Sequence, residues 1–482
     1  MTTIRKWRLT LVASGLLAAF GTPMAQQPAG TPSKAQAAPT PDIQSADPKS
    51  MVGPAPVRKA TPFSAAQQAQ QPLQLGSFDF YPEISVAEMW DSNVFAENEN
   101  LDPTSDWAML TSLQATLKSN WDRHALNFAG GADWTNYRGE QVGAFLNTKS
   151  QNTTDWRASG EGRYDFSSDS NVYGGLRFAR DHESLESKDQ INGIDPTIYY
   201  NSRAYGGYFR QFDQVSMRIA GQAQYLNFDD NTGIDRAGTV FGIENDARDR
   251  WRYTGGIRLG YGLSPTLEPF VQVALDNRRY EETTDVVTSF NDTAILGTTA
   301  LNRDSDGTRA LFGARYVIPG VLKAEGFAGW IWQRYESPLE SVSTPGFGGS
   351  VAWSVAENTR LNAYLDRTIE ETNVFQTSTD AAGITTANYA SGYINTFAGA
   401  TLEHSFTPSL GAYANLSFSR GDFKGIDRTD DYTGAGIGGW YRLAKFLYLD
   451  LSYQYRTLDS SSERENYDRD QVYIRLTVPL SK

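Results

Sequence analysis

From about Phe78 onward the chain alternates apolar and polar side chains. At the C-terminal end Val472, Ile474, Leu476, Val478 and Leu480 alternate with Gln471, Tyr473, Arg475, Thr477 and Pro479. Just before it, Leu447, Leu449, Leu451, Tyr453 and Tyr455 alternate with Tyr448, Asp450, Ser452, Gln454 and Arg456. The run from Trp251 to Leu263 repeats the pattern. A period of two is the signature of a strand with one apolar face. Counting such segments predicts 18 strands, the first around Phe80 to Trp90. Turn-forming residues near Asn120, Ser168, Asp213, Ser264, Gly320, Asn358, Pro408 and Lys445 predict eight short turns. They alternate with nine longer polar connections, at 93–107, 139–153, 183–197, 229–246, 282–302, 337–345, 371–388, 421–431 and 457–467. An even strand number with short turns on one side and long loops on the other predicts an all-β protein, a closed antiparallel transmembrane β-barrel over residues 78–482.

A soluble β-sandwich or propeller is the competing reading, and it requires a dry core. Here one strand face carries Arg and Asp, which such a core does not accommodate. Trp107, Trp121, Phe166, Phe212, Phe228, Tyr280, Tyr335, Phe406 and Phe446 gather toward segment ends, the place of interfacial aromatic girdles. The N-terminus fits export. Arg5, Lys6 and Arg8 precede an apolar stretch from Leu9 to Phe20, then small residues up to Ala25, so 1–25 reads as a signal peptide. Residues 26–77 are rich in Pro, Ala and Gln, a composition that cannot bury enough apolar surface to fold, and they read as a disordered periplasmic linker. The expected location is the outer membrane of a Gram-negative bacterium.

Composition removes several function classes. Among 482 residues there is no Cys and there are three His, so thiolate metal sites and cysteine nucleophiles are excluded, and a histidine-built metal centre has little to draw on. No cofactor or metal is expected. The formal net charge of −13 argues against nucleic acid as a partner, because phosphate binding needs clustered Lys and Arg. The external connections are acidic; the first holds Asp91, Glu97, Glu99, Asp102 and Asp106 without a basic residue.

Parity assigns the polar face to the barrel interior. The expected pore-lining residues are Arg157, Arg163, Arg177, Arg218, Arg252, Arg258, Arg315, Arg442, Arg456 and Arg475, with Tyr413, Tyr448 and Tyr473. Asp133, Glu161, Asp165, Asp276, Glu325, Asp366, Glu403 and Asp450 share that face. A guanidinium fork suits carboxylates, and a tyrosine face suits a sugar ring. The plainer alternative is that Arg and carboxylate pair across strands and stiffen the wall. Catalysis has one weak candidate: His182, Ser184 and Glu186, two apart on one strand face, are similar to the His-x-Ser arrangement of lipid A deacylases. The expectation is a protein that is not an enzyme.

The start of the barrel carries Pro82-Glu83-Ile84-Ser85-Val86 and then Trp90-Asp91-Ser92-Asn93-Val94-Phe95. These segments resemble the opening of the Putative beta-barrel porin 2 family, outer-membrane proteins often encoded with exopolysaccharide genes. The resemblance implies an outer-membrane channel exporting a secreted polysaccharide, and it brings no catalytic residue with it. A general or substrate-selective uptake porin is the alternative function, and a lipid-modifying enzyme a remote one. The partners expected are outer-membrane lipid and lipopolysaccharide, the barrel-assembly machinery, a polysaccharide cargo and a separate periplasmic export partner.

Overall fold

The computed structural model describes residues 71–142, 146–187, 193–234, 239–290, 295–462 and 465–480. The expected signal peptide, and the linker as far as residue 70, lie outside the described residues. The barrel strands are β1 (Phe78–Asp91), β2 (Asp106–Ser119), β3 (Ala125–Tyr137), β4 (Thr153–Ser167), β5 (Ser170–His182) and β6 (Ile198–Phe212). They continue with β7 (Val215–Phe228), β8 (Arg250–Tyr261), β9 (Leu267–Tyr280), β10 (Ser305–Ile318), β11 (Leu322–Tyr335) and β12 (Val342–Ala356). The last six are β13 (Thr359–Glu370), β14 (Gly392–Thr407), β15 (Leu410–Lys424), β16 (Thr429–Ala444), β17 (Leu447–Ser460) and β18 (Tyr467–Pro479). Each strand pairs antiparallel with the next, and β1 pairs with β18 from Glu83↔Pro479 to Asp91↔Gln471. That seam closes the sheet, so neither terminal strand leaves an open edge toward lipid.

The eight turns on the side of both termini are two to five residues long, and the nine connections on the other side include all the long ones. Three expected loops are shorter than their sequence pattern suggests: they shrink to residues 336–341, 425–428 and 461–466. The strands, 12 to 16 residues long, outrun the roughly 9–11 residues a bilayer needs. The strands are thus longer than the membrane-spanning length, and the surplus continues as paired ribbon. The expected linker also ends early, because Leu73–Leu75 forms a short strand against Phe78–Phe80. Outside the wall, Thr284–Phe290, Ile295–Leu301, Phe375–Thr379 and Thr385–Tyr389 form a four-stranded sheet from two external connections.

Parity holds around the cylinder. Leu451, Ile437, Leu416, Phe312 and Leu176 are more than half exposed and face outward, where lipid replaces water. Their polar neighbours Asp450, Ser452, Asn415 and Gln454 are buried on the inner side. The girdle expectation needs one correction. Trp107, Trp121, Phe166, Phe212, Phe406 and Phe446 are exposed as expected, but Phe228 is buried against Tyr199. Tyr280 lies beside Arg250, and Tyr335 packs against Ile331, Val342, Ile369 and Ile394. All three belong to the inner parity at the loop end, where the lumen is filled.

Candidate functional site

Every arginine expected to line the lumen lies on the inner face, and most meet a carboxylate there. Arg157 reaches Asp133 at 2.7 Å, Arg163 reaches Asp165 at 2.9 Å and Arg252 reaches Asp276 at 2.7 Å. Arg258 (β8) spans to Glu325 (β11) at 2.5 Å, and Arg315 stands 3.9 Å from Glu268. Arg456 pairs with Glu186 at 3.0 Å. Arg218 lies over the Phe209 ring, Arg442 donates to Ser409 Oγ, and Arg475 faces Asp450 across the β17–β18 register. Arg177 stands opposite Arg203 across the β5–β6 register. Pairing, the plainer reading, therefore describes much of this wall.

The tyrosines correct the expectation that they present open faces to a sugar. Tyr413, Tyr448 and Tyr473 are each at most 8% exposed. Tyr413 and Tyr448 pack with Trp440, and Tyr473 packs with Met89, Val94 and Tyr137. Gly438 directly opposes Tyr413 in register, and a Cβ built at Gly438 would strike that ring. Gly399 opposes Tyr364 in the same way, its added Cβ meeting Tyr364 Oη at 2.5 Å. Tyr173 with Gly207, Tyr205 with Gly175 and Trp440 with Gly411 repeat the device. A ring laid flat over a cross-strand glycine shields its backbone and pins the register. Inner-parity glycine opposite an aromatic was the sequence signal for it.

At the loop end the D-S-N-V-F segment builds a charged knot. Arg469 (β18) grips Asp91 in a two-point fork, Nε to Oδ1 at 2.9 Å and Nη2 to Oδ2 at 2.6 Å, the strong form of this contact. Gln471 Nε2 and Tyr137 Oη also donate to Asp91. Ser92 and Asn93 bond the β18 backbone at Asp470 and Asp468, and Val94 is buried with Met89 and Tyr473. Glu186, from the connection after β5, enters this knot. Its carboxylate receives Arg469 Nη1 at 2.9 Å and Arg456 Nη1 at 3.0 Å, and its carbonyl receives Tyr432 Oη at 3.0 Å. That connection thus reaches across the lumen to β16, β17 and β18.

A second tie lies on β8, β9 and the start of the connection after β13. Glu371 Oε2 is 2.7 Å from Arg250 Nε and Glu371 Oε1 is 3.8 Å from Arg278 Nη1, while Arg278 donates to the Ile369 carbonyl. Burial would raise the Glu371 pKa, but Arg250 and Arg278 hold it below the ordinary value. Arg309 to Asp366, 3.1 Å, links β10 to β13. Alternation alone places Asp91, Arg278, Arg309 and Arg469 on the inner face; their partners come from strands and loops far apart in sequence.

The three residues considered for catalysis separate. His182 Nδ1 meets Asp155 at 2.8 Å, Ser184 Oγ accepts the Glu186 amide, and the Glu186 side chain is spent on Arg456 and Arg469. No Ser–His contact is formed among them, so a nucleophile with its base is not assembled there. Among the described residues no group of His, Asp and Glu is arranged to hold a metal ion. At the turn end a recess of about 110 Å³ opens between Arg218, Arg258, Arg315, Glu268, Phe209 and Phe270.

A closed 18-strand cylinder with an apolar outer belt and a charged inner wall defines an outer-membrane β-barrel of the porin class. The family model described as Putative beta-barrel porin 2 matches residues 69–480, and the chain belongs to that family. No curated protein matches the chain. Among solved structures it is similar to OccAB4 of Acinetobacter baumannii (11% identity, TM-score 0.39, covering 86% of this chain and 100% of that one). It is also similar to OccK9 of Pseudomonas aeruginosa (10%, 0.41, 83% and 99%). A third is a mutant of the ferric enterobactin receptor PfeA from Pseudomonas aeruginosa (10%, 0.41, 85% and 81%).

Proposed function

We propose that this barrel is an outer-membrane channel through which a secreted polysaccharide leaves the cell, with the segment from residue 26 to about residue 72 as a periplasmic tether. The observation that supports it is the inner wall, where Arg and carboxylate alternate in neighbouring pairs. Paired charges still offer donors and acceptors to hydroxyl groups, yet they leave few isolated charges to trap a passing chain. Coulomb attraction in water is weak, about 1 kcal/mol for a pair at 4 Å, and many weak contacts favour passage over retention. The lumen tyrosines contribute packing to this wall, so the polar contacts fall to Arg, Asp, Glu, Ser and Gln.

Deleting the gene and measuring secreted and periplasmic polysaccharide tests the reading. Secretion falls and periplasmic polymer accumulates, and re-expression reverses both. Unchanged secretion with slower uptake of small solutes would assign the protein to uptake instead. Replacing Arg252, Arg258 and Arg475 together by Gln removes three positive charges from the inner face: Glu325 loses its ion-pair partner, Asp450 loses the arginine opposite it in register, and Asp276 keeps Arg278 alone. Single-channel selectivity then moves toward cations and secretion drops at equal barrel abundance. No change in either would make these arginines wall braces only.

A further inference from the structure

We infer that Arg456 and Arg469 form a carboxylate-binding site at the external end of the lumen, occupied by Glu186 as an internal ligand that a uronate of a passing acidic polysaccharide displaces. The polymer in this statement rests on the export reading; the site itself rests on geometry.

Four charges meet there: Asp91 and Glu186 against Arg456 and Arg469. Three of them are on the wall, on β1, β17 and β18, and their positions are set by the ladder. Glu186 alone comes from a connection, and its carboxylate is fully enclosed. Asp91 takes Nε and Nη2 of Arg469, which leaves Nη1 for Glu186. With Glu186 in place the group is neutral. With Glu186 withdrawn it carries one net positive charge, and Arg469 Nη1 and Arg456 Nη1 lack their acceptor. A buried cation without a partner is costly, so another carboxylate is drawn to that position.

The surroundings fit a sugar acid better than a small ion. Arg456 Nε has no hydrogen-bond partner among the described residues. The Tyr467 hydroxyl also lacks one, although Tyr467 is only 3% exposed and packs with Tyr432, whose hydroxyl holds the Glu186 carbonyl. Both are donors left over when one carboxylate is bound, and ring hydroxyls next to a uronate carboxylate can accept from them. The root of the segment is held separately, by Glu183 with Arg248 Nη1 at 2.9 Å and by His182 with Asp155. Exchange at Glu186 therefore needs only Glu186 and its near neighbours to move. A ligand shifts such an equilibrium only through its differential affinity, and here the two states differ in whose carboxylate sits between the arginines.

The chain has no cysteine, so Ser184→Cys introduces a single thiol two residues from Glu186. The rate of its labelling by an uncharged maleimide is measured on the purified, folded barrel. Oligogalacturonate raises the rate several-fold, whereas a maltooligosaccharide of equal length leaves it unchanged. In the Ser184→Cys/Glu186→Gln background labelling is fast without any saccharide and does not respond to oligogalacturonate. Equilibrium dialysis with the unmodified protein finds saturable oligogalacturonate binding that Arg456→Gln weakens several-fold. Labelling and dialysis both blind to oligogalacturonate, or a maltooligosaccharide acting equally, would overturn the inference. These readouts use purified protein. Export can thus fail in the deletion strain while the site stands, and the site can fail while export stands.

Discussion

Asp91 shows how one residue serves several elements. Its carboxylate accepts Arg469, Gln471, Tyr137 and the Asn93 amide, and so joins β1, β3 and β18 at the seam. Asp91→Ala leaves Arg469 enclosed with Glu186 as its one carboxylate, and breaking a buried pair from one side costs about 3–5 kcal/mol. Denaturant unfolding of the detergent-solubilised barrel checks this, and a change within error of zero would show the knot to be energetically idle. Glu371 gives a pH-dependent counterpart. Its pKa lies below the ordinary 4.5, burial being outweighed by Arg250 and Arg278. A depressed folded pKa stabilises above the unfolded value and loses that contribution as pH falls through the folded one. Wild type is therefore more stable than Glu371→Gln at neutral pH, and the gap closes as pH falls below about 4.5. A gap independent of pH would place the effect in packing.

Strands are where glycine and parity become measurable. Tyr413 lies across Gly438 so closely that a methyl group there must push the ring away. Gly438→Ala is expected to cost about 1–3 kcal/mol, the usual range for overpacking. Gly326, whose added Cβ would meet nothing, is the control at which alanine is tolerated. Leu451 is 56% exposed on the outer face, whereas Ser350 is exposed on the inner face opposite Glu325. Leu451→Arg costs roughly 2–4 kcal/mol if it lies near the midplane. Ser350→Arg enters the water-filled side near a carboxylate and leaves stability unchanged. Folding yield in lipid vesicles separates the two; equal losses would mean the faces are reversed.

For the whole molecule, closure is the controlling event. β1 and β18 are far apart in sequence yet share the register from Glu83↔Pro479 to Asp91↔Gln471. A chain ending before Tyr467 leaves β1 and β17 with open edges in lipid, where each unsatisfied backbone group costs several kcal/mol. Such a chain fails to reach the outer membrane as a heat-modifiable band on gels. A normal band would mean that closure does not depend on β18.

Alternation determined most of this architecture. Because successive side chains on a strand point to opposite faces, Leu449, Leu451 and Tyr453 against Asp450, Ser452 and Gln454 already state which side meets lipid. Turn residues at Asn120, Ser168 or Pro408 separate neighbouring strands, so the count of 18 and the side of the long loops were also local information. Parity likewise placed the ten lumen arginines on the inner face. Partnership was not local. Arg258 meets Glu325 across two intervening strands, and Glu186 meets Arg469 across the lumen, because the curvature of a closed sheet brings distant inner faces together. The tyrosines, read as open surfaces, turned out enclosed, since whether an inward side chain faces water or a neighbour depends on what stands opposite in register. The outward or inward choice is a property of one strand, whereas every contact inside the barrel is a property of its closure.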